Sequence, residues 1–225
     1  EIAALPVQAE AATEPGAPQR TVLSPASLRD YRSRLTSVEH VAGYTSQGRN
    51  VTGDGIAERV LTEAVTPEYF KVFTVTPVLG RALVDDDMDG RRVAVISHGL
   101  WQRRFGGDPA IVGRAVRLDQ QAYEIVGVLP PDFVPPSAVD ASEPVAAWLP
   151  LSFEPDLLTS RHEHIVAAVG RLREGVSLDT ARAELASVSA AMAAEYPDYA
   201  TTRGAVDLLR RDQVASVDTL FVVLA

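Results

Sequence analysis

Three short stretches carry residue types that could do chemistry. His162-Glu163-His164 sets two imidazoles around a carboxylate. Helical zinc-protease sites need two histidines four apart, so that both share a helix face with the glutamate between them. Here the spacing is two, at the entrance to an apolar run that reads as a strand, where alternation places both side chains on one face and an acid such as Asp156 would supply a third ligand. Asp85-Asp86-Asp87 with Asp89 concentrates carboxylates, but a calcium loop requires alternating acids, a central glycine and a terminal glutamate. The run reads instead as a solvated acidic loop.

The third stretch is LWQRRFGGDPAIVGRAVRLDQQAYEIVGVLP, residues 100–130. A phosphate-cradling loop precedes its helix and ends in Gly-Lys-Ser/Thr, or follows G-x-G-x-x-G. Gly106 and Gly107 follow a helix here, and neither pattern is present. Each residue has a structural reading: Trp101 and Phe105, four apart, face the core; Gly106-Gly107 end a helix; Asp108-Pro109 opens one turn and Gly113 ends it. Arg103, Arg104, Arg114 and Arg117 read as a solvated face. No G-x-S-x-G occurs, and His40 and His98 have no visible triad partners. With no cysteine in the chain, disulfides, thiolate metal sites and cysteine nucleophiles are excluded. No catalytic, cofactor-binding or metal-binding residue is therefore assigned, and no cofactor is expected. A net charge of −9 argues against a nucleic-acid partner, which needs a cationic surface to displace counterions.

The elements that would position these residues follow from caps and periodicity. The 225 residues are 46% hydrophobic, enough to bury a core. Residues 1–20, rich in Ala, Pro and Glu, read as an apolar start followed by a loop. Ser24-Pro25 opens a helix with Leu28, Tyr31 and Leu35 on one face. Residues 38–65 read as strands around a Gly-Asp-Gly turn, and PEYFKVF as a short helix burying Tyr69, Phe70 and Phe73. TVTPVLG and VAVIS read as strands, Ser97 caps a helix, and RAVRLD with AYEIVGVLP forms a hairpin. VAAWLPL, HIVAAVGRL and GAVDLL are further strands, and Ser177 caps the longest helix, which carries a stripe of Leu178, Ala181, Leu185, Val188 and Met192 up to Pro197. The closing LFVVLA fits either a final core strand or the start of a transmembrane helix. The irregular alternation, with β-α-β near each end and a separate unit between, indicates an α+β architecture with an insertion.

Several blocks in this order resemble MacB-type (MacB/FtsX-like) ABC transporter permeases. VTPEYFKVFTVTPVLGRAL is similar to a Tyr-Phe-x-Val…Gly-Arg block of that family. RRVAVISHGLWQRRFGGDPAIVGRAVRLDQQAYEIVGVLPPDF is similar to its Gly-Gly-Asp-Pro…Val-Gly block and hairpin, and HIVAAVGRLREGVSLDTARAEL to its Gly-Arg-Leu-x-x-Gly-Val-Ser block. LRDYRSRLTSVEHVAGY resembles the start of the domain in a bacterial subgroup, so that the likeness spans roughly residues 20–210. It implies the periplasmic core domain between the first two transmembrane helices: a membrane-proximal linker at 1–20, a discontinuous porter-like lobe at 21–88 and 159–212 built of two β-α-β halves, an inserted mixed α/β lobe at 89–158, and a lead into a transmembrane helix at 213–225. The resemblance further implies a non-catalytic protein on the periplasmic or extracellular side of a bacterial membrane. ATP-driven motion would pass through it in export or efflux. Its implied partners are its own transmembrane helices, a second permease copy or half, a cytoplasmic ABC ATPase and a periplasmic adaptor. Other readings of the chain are a solute- or peptide-binding module of a transporter, and a secreted metal-dependent hydrolase using His162 and His164.

Overall fold

The computed structural model describes residues 22–53, 56–135, 144–196, 206–207 and 221–224. In chain order the elements are α1 (Pro25–Arg34), β1 (Val38–Thr52), β2 (Glu58–Val65), α2 (Tyr69–Val72), β3 (Leu79–Gly80), β4 (Val93–Ile96), α3 (His98–Phe105), β5 (Ala115–Leu118), β6 (Gln121–Val128), β7 (Val145–Pro150), α4 (Pro155–Thr159), β8 (Ala167–Leu172), α5 (Leu178–Glu195), β9 (Val206–Asp207) and β10 (Phe221–Leu224). Single 3₁₀ turns lie at Asp85–Asp87 and Pro109–Ile111. The fold is α+β with a mixed sheet, as the element pattern predicts, and the chain divides into two compact units.

Among the described residues the first unit comprises 22–43, 153–196, 206–207 and 221–224. Its helices α1 and α5 begin at the expected caps: Ser24 accepts from the Ser27 amide and Ser177 from the Thr180 amide, each at 3.1 Å, satisfying a donor that the first helical turn leaves open. The sheet side is β8, beside the first part of β1 and paired antiparallel with β10. Leu23, Tyr31, Val166, Ala168, Leu185 and Met192 are buried at its centre, and the Tyr31 hydroxyl meets Ser189 Oγ at 2.8 Å. Phe221–Leu224, expected to lead into a transmembrane helix, is a strand in register with Ala168–Arg171. Its β-branched valines suit that pairing. Among the described residues no helix is long and apolar enough to cross a membrane.

The second unit comprises 44–53, 56–135 and 144–152 among the described residues. Its division from the first falls after Gly43, whereas the lobe boundary expected from the sequence falls after residue 88. The reason is pairing: β2 bonds in parallel to β7, and β3 antiparallel to β6, so 58–80 packs with the later strands. The strand order is β1-β2-β7-β4-β6, and β5 pairs both β6 and the end of β1, through Val51↔Leu118 and Thr52↔Arg117, which closes the sheet on itself. Closure leaves the interior to side chains alone. Val51, Val60, Ile96, Leu100, Ile111, Leu118 and Ile125 fill it, and Trp101 and Phe105, expected in the core, pack half-buried at its margin. The Trp101 indole donates to the Asp108 carbonyl at 2.9 Å, which holds the ring at the polar edge.

The expected strand TVTPVLG is reduced to β3. Thr74 has φ +53° and Val75 donates back to Phe70, so the chain turns, and pairing with β6 is confined to Leu79 and Gly80, flanked by the Val78 and Arg81 amides, which donate to the Val128 and Val126 carbonyls at 2.8 Å each. The approach is close: a Cβ on Gly80 (φ +70°) would stand 2.1 Å from the Val126 carbonyl oxygen. Gly113, at φ +88°, ends the 3₁₀ turn as expected, in the left-handed region that non-glycine residues rarely occupy.

Candidate functional site

The structure disperses the sequence candidates. His162 and His164 are exposed in an irregular stretch; regular pairing begins only after them, at Val166 and β8, so strand alternation does not bring their side chains to one face. Asp156 lies on α4. Among the described residues no group of three His, Cys, Asp or Glu side chains could hold a metal ion. His98 stands edge-on to Trp101 with ring centres 5.3 Å apart, and His40 is half-buried on β1. Three of the four arginines of the 100–130 stretch have partners within the protein: Arg103 with Glu58 at 2.8 Å, Arg104 with the Ile56 carbonyl at 2.6 Å, and Arg114 with Asp108 at 2.9 Å. Asp108 also caps the Pro109 turn through the Ala110 amide, so its glycines and acid serve as punctuation.

The acidic run is only partly solvated. Asp85 and Asp86 are exposed, but Asp87 is fully buried. Arg81 grips it with two bonds, at 2.6 and 3.0 Å, the Val84 amide donates at 3.0 Å, and Arg91 lies 3.6 Å away. Burial pushes the Asp87 carboxyl up. The Arg81 and Val84 hydrogen bonds and the two guanidinium charges outweigh that and hold it below the ordinary carboxylate range. Two donors fixed by an arginine fork close the loop after β3.

The centre that sequence reasoning missed is Glu63, on β2. It has no exposed surface, and its Oε2 accepts from the Tyr69 hydroxyl at 2.8 Å and the Trp148 indole at 2.7 Å. α2 supplies Tyr69 and β7 supplies Trp148, so one carboxyl oxygen ties a helix and two strands together. Tyr44, Phe70, Phe73 and Phe133 join Tyr69 and Trp148 in edge-on and tilted contacts with centres 4.9–6.4 Å apart. Burial raises the Tyr69 phenol well above its ordinary range, and the adjacent Glu63 adds to this, because ionising Tyr69 would set a second negative charge beside it. The donors that answer Glu63 are side chains on other elements, Trp148 being 85 residues away, and no spacing rule reveals that pair. Chemically the centre is architectural: a side chain with no exposed surface offers nothing to a substrate in solvent.

In the first unit the corresponding polar feature is Glu184 on α5. It accepts from the amides of Thr36 and Ser37 at 2.8 Å each, and from both their hydroxyls. Burial alone would raise its carboxyl; the hydrogen bonds from Ser37 and Thr36 bring it down to about 2. The residue thus pins the turn between α1 and β1 to the longest helix.

The family profile described as MacB-like periplasmic core domain matches residues 4–188. The periplasmic region of MacB from Actinobacillus actinomycetemcomitans superposes with a TM-score of 0.59 at 15% identity, covering 80% of this chain and 78% of that one. The extracellular domain of the noncanonic ABC-type transporter YknZ from Gram-positive bacteria gives 0.57 at 16% identity, covering 78% and 85%. No curated protein sequence matches. These structural likenesses carry the fold, and the profile match over most of the chain carries the family: the chain belongs to the MacB-like periplasmic core domain family of ABC transporter permeases.

Proposed function

We propose that this chain is a non-catalytic, extracytoplasmic lobe pair of an ABC transporter permease, passing ATP-driven motion of transmembrane helices outward during export. The family match over residues 4–188 carries this reading. The side-chain bonding supports it: acids of each unit lock elements together, as in buried Glu63 with Tyr69 and Trp148, and half-buried Glu184 with Thr36 and Ser37. A motion-transmitting body needs such rigidity within each unit. Its partners on this reading are its own transmembrane helices, a second permease copy, a cytoplasmic ABC ATPase and, in efflux, a periplasmic adaptor. Of the lobe assignment expected from the sequence, 21–88 and 159–212 against 89–158, we retain the arrangement of one discontinuous porter-like lobe and one insert.

The test is the reading frame that surrounds this chain. Spans of about 20 apolar residues are expected on both sides, and the purified full-length protein, paired with its ATPase in nanodiscs, is expected to change conformation in this domain on ATP binding. A secreted product with no span on either side would sink the reading.

A further inference from the structure

In the first unit, Arg161 lies between α4 and β8 with its side chain only 14% exposed. Its Nη2 donates to Asp30 on α1 at 2.7 Å, and that carboxylate is 12% exposed. Its guanidinium carbon sits 3.4 Å above the centre of the Tyr196 ring. Tyr196 is the residue on which α5 ends, and its amide still donates to Met192 at 2.8 Å. Next to it, Glu195 accepts from Arg34 of α1 at 2.8 Å. One cation therefore bridges a carboxylate of α1 and the terminal ring of α5. Its Nη1 is buried with no hydrogen-bond partner among the described residues, so stacking and the single ion pair fix its pose. A planar guanidinium does this and a lysine ammonium does not, because the stacking uses the plane while the edge donates.

We propose that Arg161 is a coupling latch: it locks the last turn of α5 to α1, so that a displacement arriving through the chain beyond Tyr196 moves both helices together. The latch rests on the motion-transmitting reading above and gives that reading a positioning residue.

Amide hydrogen exchange on the 225-residue chain tests the contact itself. R161A is expected to raise exchange at Met192–Tyr196 roughly tenfold, the scale of losing a desolvated cation–π contact, while the strands of the second unit keep their protection. Unchanged exchange over Met192–Tyr196 overturns the latch. Y196L keeps the Arg161–Asp30 pair and removes only the ring, so it answers the question even where R161A folds poorly; it is expected to give the same local increase, and full protection in Y196L overturns the proposal. Adding R161A to Y196L is expected to give no further increase in the last turn of α5, and a further increase there overturns the coupling of the two.

The coupling role is read in the full-length permease. This chain has no cysteine, so Arg29→Cys on α1 and Ala194→Cys on α5, both at exposed positions, place the only spin labels within it. The label distance is expected to be the same with and without ATP in the parent, and to change with ATP once R161A is added. A parent distance that shifts with ATP, or an R161A distance that does not, overturns the latch and leaves the permease reading standing. Failure of that reading shows separately, as missing membrane spans.

Discussion

The two units solve the problem of buried polarity differently. The second unit holds two acids with no exposed surface: Glu63, among aromatic rings, is answered by neutral donors, Tyr69 and Trp148, and Asp87 by the Arg81 fork and the Val84 amide. In the first, Glu184 and Glu195 lie nearer the surface, where Glu184 takes donors from a turn and Glu195 an arginine, while Asp30, paired with Arg161, is mostly buried. The physical contrast is in what each contact is worth. A hydrogen bond lost inside an apolar core leaves a group that water cannot rescue, whereas a partly exposed pair is screened and partly replaced by solvent. The second unit should therefore fail abruptly on losing one donor, and the first should soften by degrees.

The largest expected effect sharpens this contrast within the second unit. Trp148→Ala removes a fully buried ring together with a Glu63 donor and is expected to destabilise by about 3–5 kcal/mol. Trp148→Phe, which keeps most of the ring but not the N–H, is expected to lose about 1–3 kcal/mol. Trp101→Ala, at a half-buried marginal position, should fall well below Trp148→Ala in urea denaturation. Equal losses at the two tryptophans would break the distinction between centre and margin.

Next comes backbone. Gly80→Ala meets both a left-handed φ and the Val126 carbonyl at 2.1 Å, while Gly113→Ala meets the left-handed φ with nothing within 4 Å. Gly113→Ala is expected to cost about 1–2 kcal/mol, the ordinary penalty of that region, and Gly80→Ala more. Thermal melts of the two variants side by side check the order.

In the first unit the effect is a pH dependence. The Glu184 carboxyl is held down to about 2 from an ordinary 4.5, so the folded chain binds that proton less readily than the unfolded chain. The stabilisation is complete above about 4.5 and is lost as pH falls towards 2. Parent and Glu184→Gln are expected to differ in urea midpoint at pH 6 and to converge across that window. A constant difference down to pH 2 would show that Glu184 acts through packing and not charge. The smallest effect is expected at the solvent-screened Arg34–Glu195 pair, where Arg34→Ala should leave the melting curve unchanged.

Local signals were legible in the sequence, and non-local ones were not. The caps at Ser24, Ser97, Asp108 and Ser177 were readable, because each depends on a partner two or three residues away. Tyr69, Phe70 and Phe73 were readable as a buried face for the same reason. Asp87 looked solvated beside Asp85 and Asp86, since nothing in an acidic run says which member an arginine will enclose. Trp101 looked central from its spacing to Phe105, yet its indole N–H draws it to the edge, while Trp148 inside an unbroken apolar strand holds the centre. The blocks that resembled the family indicated the right fold because they are strings of such local signals in a fixed order.

The parallel pairing of β2 with β7 has a kinetic consequence. Leu61–Val65 can complete its ladder only after Val145–Pro150 has been made, since those segments are partners. Contacts so far apart in the chain slow folding. Until β7 arrives, β2 has an open edge and Glu63 lacks its indole donor. A chain emerging N-terminus first thus passes through an interval in which the second unit has a hairpin but no closed sheet. Mutations that lengthen that interval should reduce yield in cells before they alter the finished domain.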